Sequence, residues 1–334
     1  MMSSPAADDP RSAHASASPA DCRGRPLPRA LRQIAALLSA LALTSAFAGR
    51  ARAETDARDY EAEIALPNRT LVAVIYYRHV SASGSQDYSQ DLGVLRAAYI
   101  LRFGNWSLVP FDAVLPVADV TAFTPAAPGS PANVALHASG IGDLQFLPTL
   151  GYLRPEGQFN HTYIGFTPYF SFPTGQYDVS HPVNVGTHRY WFEQELAIGQ
   201  RFYKVFDVEL VGNVTEYTDN DKFAATTPLG TLQGSLTHKV SGGFVAHLSM
   251  DVAAHVYVAA SYYLTVNGQQ NFTEVPLMID TQAIAKQTVQ TLRFGVGIRV
   301  DPQTVLLAQY NQDVAATGDA GISRFIGLRV SHFW

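Results

Sequence analysis

The chain has 334 residues, 47% of them apolar and only 15% Asp, Glu, Lys or Arg, against the roughly 25% charged residues of an average soluble domain. The apolar residues are dispersed among polar ones, which excludes a bundle of membrane helices and a disordered, highly charged polymer. Aromatic residues reach 11%, with 16 Tyr and 18 Phe against 4 Met and 1 Cys, a mixture that favours strands over helices.

Residues 1–53 stand apart. Arg23, Arg25, Arg29 and Arg32 precede an uncharged apolar run from Ile34 to Ala48, and Ala51 and Ala53 form an A-x-A site before Glu54. This predicts a cleaved secretory signal, because the run falls short of the roughly 20 residues of a membrane-spanning helix. Seven Arg and three Asp lie in that segment, so the mature chain, 54–334, holds 16 basic and 25 acidic residues and a formal charge of −9. That balance argues against nucleic acid as a partner. Cys22 leaves with the signal, so disulfides, thiolate metal sites and cysteine nucleophiles are excluded.

From there to the C-terminus the pattern has period two. Twelve strands are predicted, near 71–82, 88–103, 106–117, 141–153, 158–172, 189–203, 206–218, 236–249, 255–267, 288–300, 303–315 and 321–334. In the fifth, Ile164, Phe166, Pro168, Phe170 and Phe172 oppose His161, Tyr163, Thr167 and Ser171. In the tenth, Leu292, Phe294, Val296, Ile298 and Val300 oppose Thr291, Arg293, Gly295, Gly297 and Arg299. Only a strand separates such sets. The joins alternate: tight turns at Gly104–Asn105, Glu156–Gly157, Lys204–Val205, 250–254 and 301–303, and longer connections at 118–140, 173–188, 219–235 and 268–287.

Short turns at one end, long loops at the other and strands of about 11–16 residues predict an all-β, transmembrane antiparallel β-barrel of the bacterial outer membrane, with lipid as its partner. A spanning sheet must close, because lipid offers its backbone no hydrogen bonds. The last strand ends on Trp334 with Ile326, Leu328 and Val330 on alternate positions, the form of a terminal signal read by outer-membrane assembly machinery. With apolar rows facing lipid, the opposite rows line the interior as a mixed polar wall: Arg96, Arg102, Asp112, Tyr163, Glu193, Glu195, Arg201, Glu209, Tyr257, Tyr263, Arg293, Arg299 and Arg329. Loops such as 118–140 and 268–287 are candidates to plug or gate a bore of this size.

Catalytic signatures are missing: no G-x-S-x-G elbow, no H-E-x-x-H pair, no phosphate-cradling glycine loop, and histidines without ligand spacing. No catalytic, metal or cofactor residue is therefore assigned. A barrel enzyme acting on envelope lipids stays open as the alternative, since a Ser-His-acid triad is recognised by geometry and not by order. A soluble secreted sandwich that binds carbohydrate is a further one.

Three local groups read by themselves as turn chemistry: Gly140, Gly142 and Asp143 in GIGD; Pro173, Gly175, Tyr177 and Asp178 in PTGQYD; Asn184 and Gly186 in NVG. In order, GIGDLQ, FPTGQYD and NVGTHRYWFEQELA resemble the outer-membrane barrel family named for the meta-cleavage pathway of phenol degradation. VAVIYYRHVSAS, VLPVADV and the aromatic C-terminus are similar too, so the resemblance covers roughly 68–334. It implies a channel or transporter of a Gram-negative outer membrane that passes small hydrophobic or aromatic compounds without a cofactor. The chain departs from that pattern at His188, Arg189, Tyr190 and Trp191, where such members commonly carry a Trp-rich stretch.

Overall fold

The computed structural model describes residues 55–83, 87–124, 134–157, 160–181, 183–227, 230–274, 279–318 and 321–334. The predicted signal, 1–53, lies outside them. A closed antiparallel barrel of twelve staves forms the wall. Eleven of the staves are single strands, of which β1 (Thr70–Ser83), β2 (Asp87–Phe103) and β3 (Trp106–Thr124) come first. The fourth stave is interrupted into β4 (Val134–Ile141), β5 (Leu144–Phe146) and β6 (Thr149–Glu156). Then follow β7 (Asn160–Phe172), β8 (Trp191–Phe202) and β9 (Phe206–Tyr217). After an outer excursion come β12 (Ser241–Ala253), β13 (Val256–Asn267), β16 (Gln287–Asp301), β17 (Thr304–Thr317) and β18 (Ile322–Phe333). Pairing of β1 with β18, from Val72 opposite Phe333 to Ser83 opposite Ile322, closes the cylinder.

The period-two rows fall on the predicted sides. Ile75, Leu95, Leu196, Phe294 and Leu328 are about half exposed and point outward, with Trp106, Tyr203 and Trp334 exposed beside the short-turn end. An apolar belt edged by aromatic rings suits acyl chains meeting the interface. The short turns are tight for local reasons: Gly104 (φ 62) closes β2–β3, and Tyr203 and Lys204 (φ 53 and 59) close β8–β9 with two successive left-handed residues, the arrangement that matches strand twist.

Two predictions need correction. Most of 118–140 is strand: β3 runs to Thr124 and pairs with β4 from Val117 opposite Ile141 to Thr124 opposite Val134, while 125–133 lie outside the described residues. The predicted loops 219–235 and 268–287 instead build a four-stranded sheet of β10 (Asn220–Thr227), β11 (Gly230–His238), β14 (Gln270–Glu274) and β15 (Ile279–Ile284) at the long-loop end; 228–229 and 275–278 are outside the described residues. Polar residues at 219–221 and 268–271 mask the strand signal there.

A short helix, α1 (Asp59–Ala65), precedes β1. Asp59 and Glu61 in its first turn complement the helix dipole, and it stops at Leu66 (φ −60, ψ 151), where the ring of Pro67 disfavours the helical region for its neighbour. Tyr60 and Ile64, on one face of α1, belong to a buried cluster with Leu153, Tyr163, Ala197, Val211, Val245 and Tyr263. The helix lies inside the barrel.

Candidate functional site

Residues 55–66 fill the inner half of the bore and are tied to nearly every side of it. Asp56 is fully buried and accepts from Arg293 Nη1 at 2.5 Å, Gln309 Nε2 at 2.8 Å and Arg329 Nη1 at 3.2 Å. Arg329 Nη1 also donates to Asp59 Oδ1 at 2.6 Å. Arg58 donates to Asp251 at 2.7 Å, Glu61 accepts two bonds from Arg201 at 2.9 Å each, and Arg96 pairs with Glu63 and Asp112. Thr55 Oγ1 donates to Glu195 at 2.7 Å, and the Tyr60 hydroxyl lies 2.8 Å from Thr167 and 2.9 Å from Glu195. Charges taken out of water survive only when paired and hydrogen-bonded in this way.

The wall is shaped for the helix. A Cβ placed on Gly151 would come within 2.4 Å of the Ile64 side chain, and one on Gly165 within 2.3 Å of the Tyr60 ring. Two wall positions without side chains thus make room for two plug side chains.

One side of the interior is apolar. Inward rows of β1–β3 carry Val72, Val74, Tyr76, Leu92, Val94, Ile100, Val114 and Val120, all buried in one cluster with Leu147, Tyr169, Val183, Trp191 and Phe325. This corrects the expectation of a polar lining throughout. Cations here lie against rings: Arg293 is 4.2 Å from the Tyr263 centroid and Arg78 is 5.1 Å from that of Phe325.

Of the predicted lining residues, Arg96, Asp112, Tyr163, Glu193, Glu195, Arg201, Glu209, Tyr263, Arg293 and Arg329 face inward and are buried or nearly so. Tyr257 faces inward beneath Arg58, its ring centroid 4.3 Å from the guanidinium carbon. Arg102 and Arg299 lie at the short-turn rim, Arg102 donating to the Ala65 carbonyl at 3.0 Å. Sequence reasoning missed Asp56, Asp59, Tyr60, Glu61 and Glu63; the available signal was four carboxylates at 56, 59, 61 and 63 in front of the first strand of a barrel whose inward rows carry arginines.

The motif residues converge from three segments on the notch where β7 ends while β4 continues. Asp143 accepts from the Gly175 amide at 2.9 Å, the Thr187 amide at 2.8 Å and the Thr187 hydroxyl at 2.6 Å. A Cβ on Gly175 would stand 2.7 Å from the Gly142 carbonyl carbon and 2.8 Å from Gly186 Cα, so three backbones meet where only glycine fits. Gln176 bonds back to the Ile141 carbonyl at 2.8 Å, and the Gln176 side chain occupies the space a Cβ at Gly140 would need. Pro173 begins the loop just past β7. Tyr177 accepts from Asn220 at 3.0 Å and stacks on His188 at 4.9 Å. Asn184 accepts from the Asp178 amide at 2.6 Å, and the Asp178 carboxylate accepts from the Ser180 hydroxyl and amide and from His181. Those bonds hold the Asp178 carboxyl well down, at about 2.

A line of Ser261, His247 and Glu209 also forms, with Ser261 2.6 Å from His247 Nδ1 and Glu209 3.8 Å from Nε2. All three are at most 6% exposed and sit within the packed interior, so no lipid ester can reach the serine. Among the described residues no group of His, Cys, Asp and Glu could hold a metal ion.

The family model described as "Putative MetA-pathway of phenol degradation" matches residues 74–329. The chain belongs to that family. No curated protein matches it by sequence. Among solved structures it is similar to an outer membrane channel from Pseudomonas putida F1, with TM-score 0.69 and 21% identity over 84% of this chain and 100% of that one. The Pseudomonas putida toluene transporter TodX aligns at TM-score 0.46 and 10% identity, over 84% of this chain and 93% of that one. The translocator domain of the autotransporter NalP from Neisseria meningitidis aligns at 0.39 and 12%, over 82% and 93%. The first of these carries the outer-membrane barrel fold.

Proposed function

We propose that this protein is an outer-membrane channel for passive uptake of small hydrophobic or aromatic compounds, and that residues 55–66 are its gate. The observation that carries the reading is the N-terminal segment held by ion pairs inside a closed, lipid-facing barrel, since a segment fixed mainly by side chains can leave while the ladder of the wall stays intact. Family membership supports a link to phenol degradation, and the neighbour named as a channel supports passage over catalysis. An apolar cluster flanked by guanidinium groups on aromatic rings offers weak contacts to a ring-bearing solute, enough for entry and loose enough for exit. Export by a cleaved signal at 1–53 and insertion through the strand ending at Trp334 complete the proposal.

Liposome swelling tests it. Phenol and benzyl alcohol are expected to enter liposomes holding the protein faster than glucose does, and faster still when the gate is loosened. Equal rates with and without protein, in both the wild-type chain and a gate variant, sink the reading.

A further inference from the structure

Below the plug, at the short-turn mouth, lies a cavity of about 620 Å³, within the range of sites that take small organic ligands. Its lining is two-natured. Five Arg and Lys side chains face two carboxylates, Glu61 and Asp251, and both carboxylates are already committed to Arg201, with Asp251 also holding Arg58. Arg299 forms no ion pair among the described residues and is exposed at the rim. Two donors of residues that border the cavity, Arg58 Nη2 and Arg329 Nε, are buried behind its surface without a hydrogen-bond acceptor. Buried donors of charged groups are rarely left without partners.

The opposite part of the lining is apolar. Val256, Val305 and Phe333 border the cavity, and Val305 is the ladder partner of Arg299, so a cation and a greasy surface stand side by side on neighbouring strands. The ring of Tyr257, beneath Arg58, adds a flat wall.

We infer that this cavity is a binding site for a small organic carboxylate with an apolar or aromatic body, its carboxylate received by arginine at the mouth and its body laid on the valines and Phe333. Arginine forks suit carboxylate geometry, and the adjacent apolar surface selects against small inorganic anions. The inference rests on the channel reading above and extends it: aromatic acids, and not only neutral aromatics, are among the solutes. Such a ligand also competes with Asp251 for Arg58, so its arrival loosens one of the ties on the gate.

The test uses the purified full-length chain in detergent, titrated calorimetrically with benzoate, with neutral benzyl alcohol and with inorganic phosphate. Benzoate is expected to bind at least tenfold more tightly than either of the others, and Arg299→Gln, at the rim and away from the plug, is expected to weaken benzoate at least fivefold while leaving benzyl alcohol unchanged. Retained heat-modifiable migration shows that the variant is folded. Equal affinity for benzoate and benzyl alcohol, phosphate binding as tightly as benzoate, or an unchanged benzoate affinity in Arg299→Gln overturns the inference. Because benzyl alcohol swelling is read separately, a channel that passes it yet ignores benzoate loses this site and keeps the general function.

Discussion

Arg293 Nη1 donates to Asp56 Oδ1 at 2.5 Å, joining residues 237 positions apart in the sequence. One belongs to the wall and the other to the segment inside it, so this bond reports whether the gate is seated. Arg329 approaches the other carboxylate oxygen at 3.2 Å, and with Gln309 at 2.8 Å Asp56 serves three adjacent strands, β16, β17 and β18.

Asp56→Asn keeps the shape and removes the charge. Stripping one partner from a buried ion pair costs about 3–5 kcal/mol, a change in the seated-to-released ratio of at least about a hundredfold. The expected result is faster liposome swelling and protease cleavage at Arg58, with heat-modifiable migration of the barrel unchanged. If cleavage and swelling stay at wild-type levels, the segment is not held by this pair.

Gly165→Leu tests the gate from the wall side. The new side chain takes the space of the Tyr60 ring, 2.3 Å from the first atom added, so the helix must move out while the β6–β7 and β7–β8 ladders remain. Permeation should rise about as much as in Asp56→Asn. A variant that permeates no faster, with 55–66 still protected from protease, contradicts the fit described here.

Asp143→Ala removes three hydrogen bonds to a charged acceptor, each worth about 1.5–3 kcal/mol. The loop 173–190 should loosen, with the Gly175 and Thr187 amides exchanging hydrogen at least tenfold faster in deuterated buffer. Unchanged exchange at both would mean that the glycine contacts alone seal the notch.

Leu328→Arg sets a charge on the lipid face. Arg near the bilayer midplane of a barrel costs about 2–4 kcal/mol, so the urea midpoint for refolding into liposomes should drop, whereas Arg324, on the same row nearer the long-loop end, is already tolerated. A refolding midpoint equal to wild type would place Leu328 outside the lipid belt.

In the loop, the Asp178 carboxyl is held at about 2 by Ser180 and His181. Because the folded value lies below the ordinary one, the order it lends to 178–184 is fully present above about pH 4 and is lost as pH falls through about 2. The carboxyl carbon shift of Asp178 should show that low midpoint by NMR. A midpoint near 4 removes the prediction.

Much of this was legible in the sequence, and the exceptions have physical causes. The row Leu292, Phe294, Val296 against Thr291 and Arg293 reads as a wall because its two faces differ in chemistry, and the same holds for β7 and β18. The rows of β1 and β2 hide their inner face, because Val72, Val74, Leu92 and Val94 pack against other apolar groups and leave no contrast. The seven residues of α1 span about two turns, too few for a helical period to emerge, and its carboxylates find their arginines only through the closed fold. GIGD, PTGQYD and NVG read as turns, and only the notch beside β4 shows why three glycines are needed in one place.

The recesses at Gly151 and Gly165 make a prediction for the lineage as much as for the molecule. Plug and wall are cut to each other's measure, so a relative with a bulky residue at the counterpart of 151 or 165 should have traded the matching Ile64 or Tyr60 for something smaller. Paired substitution at these sites across descendants would be the historical trace of a stopper that has always travelled with its own bottle.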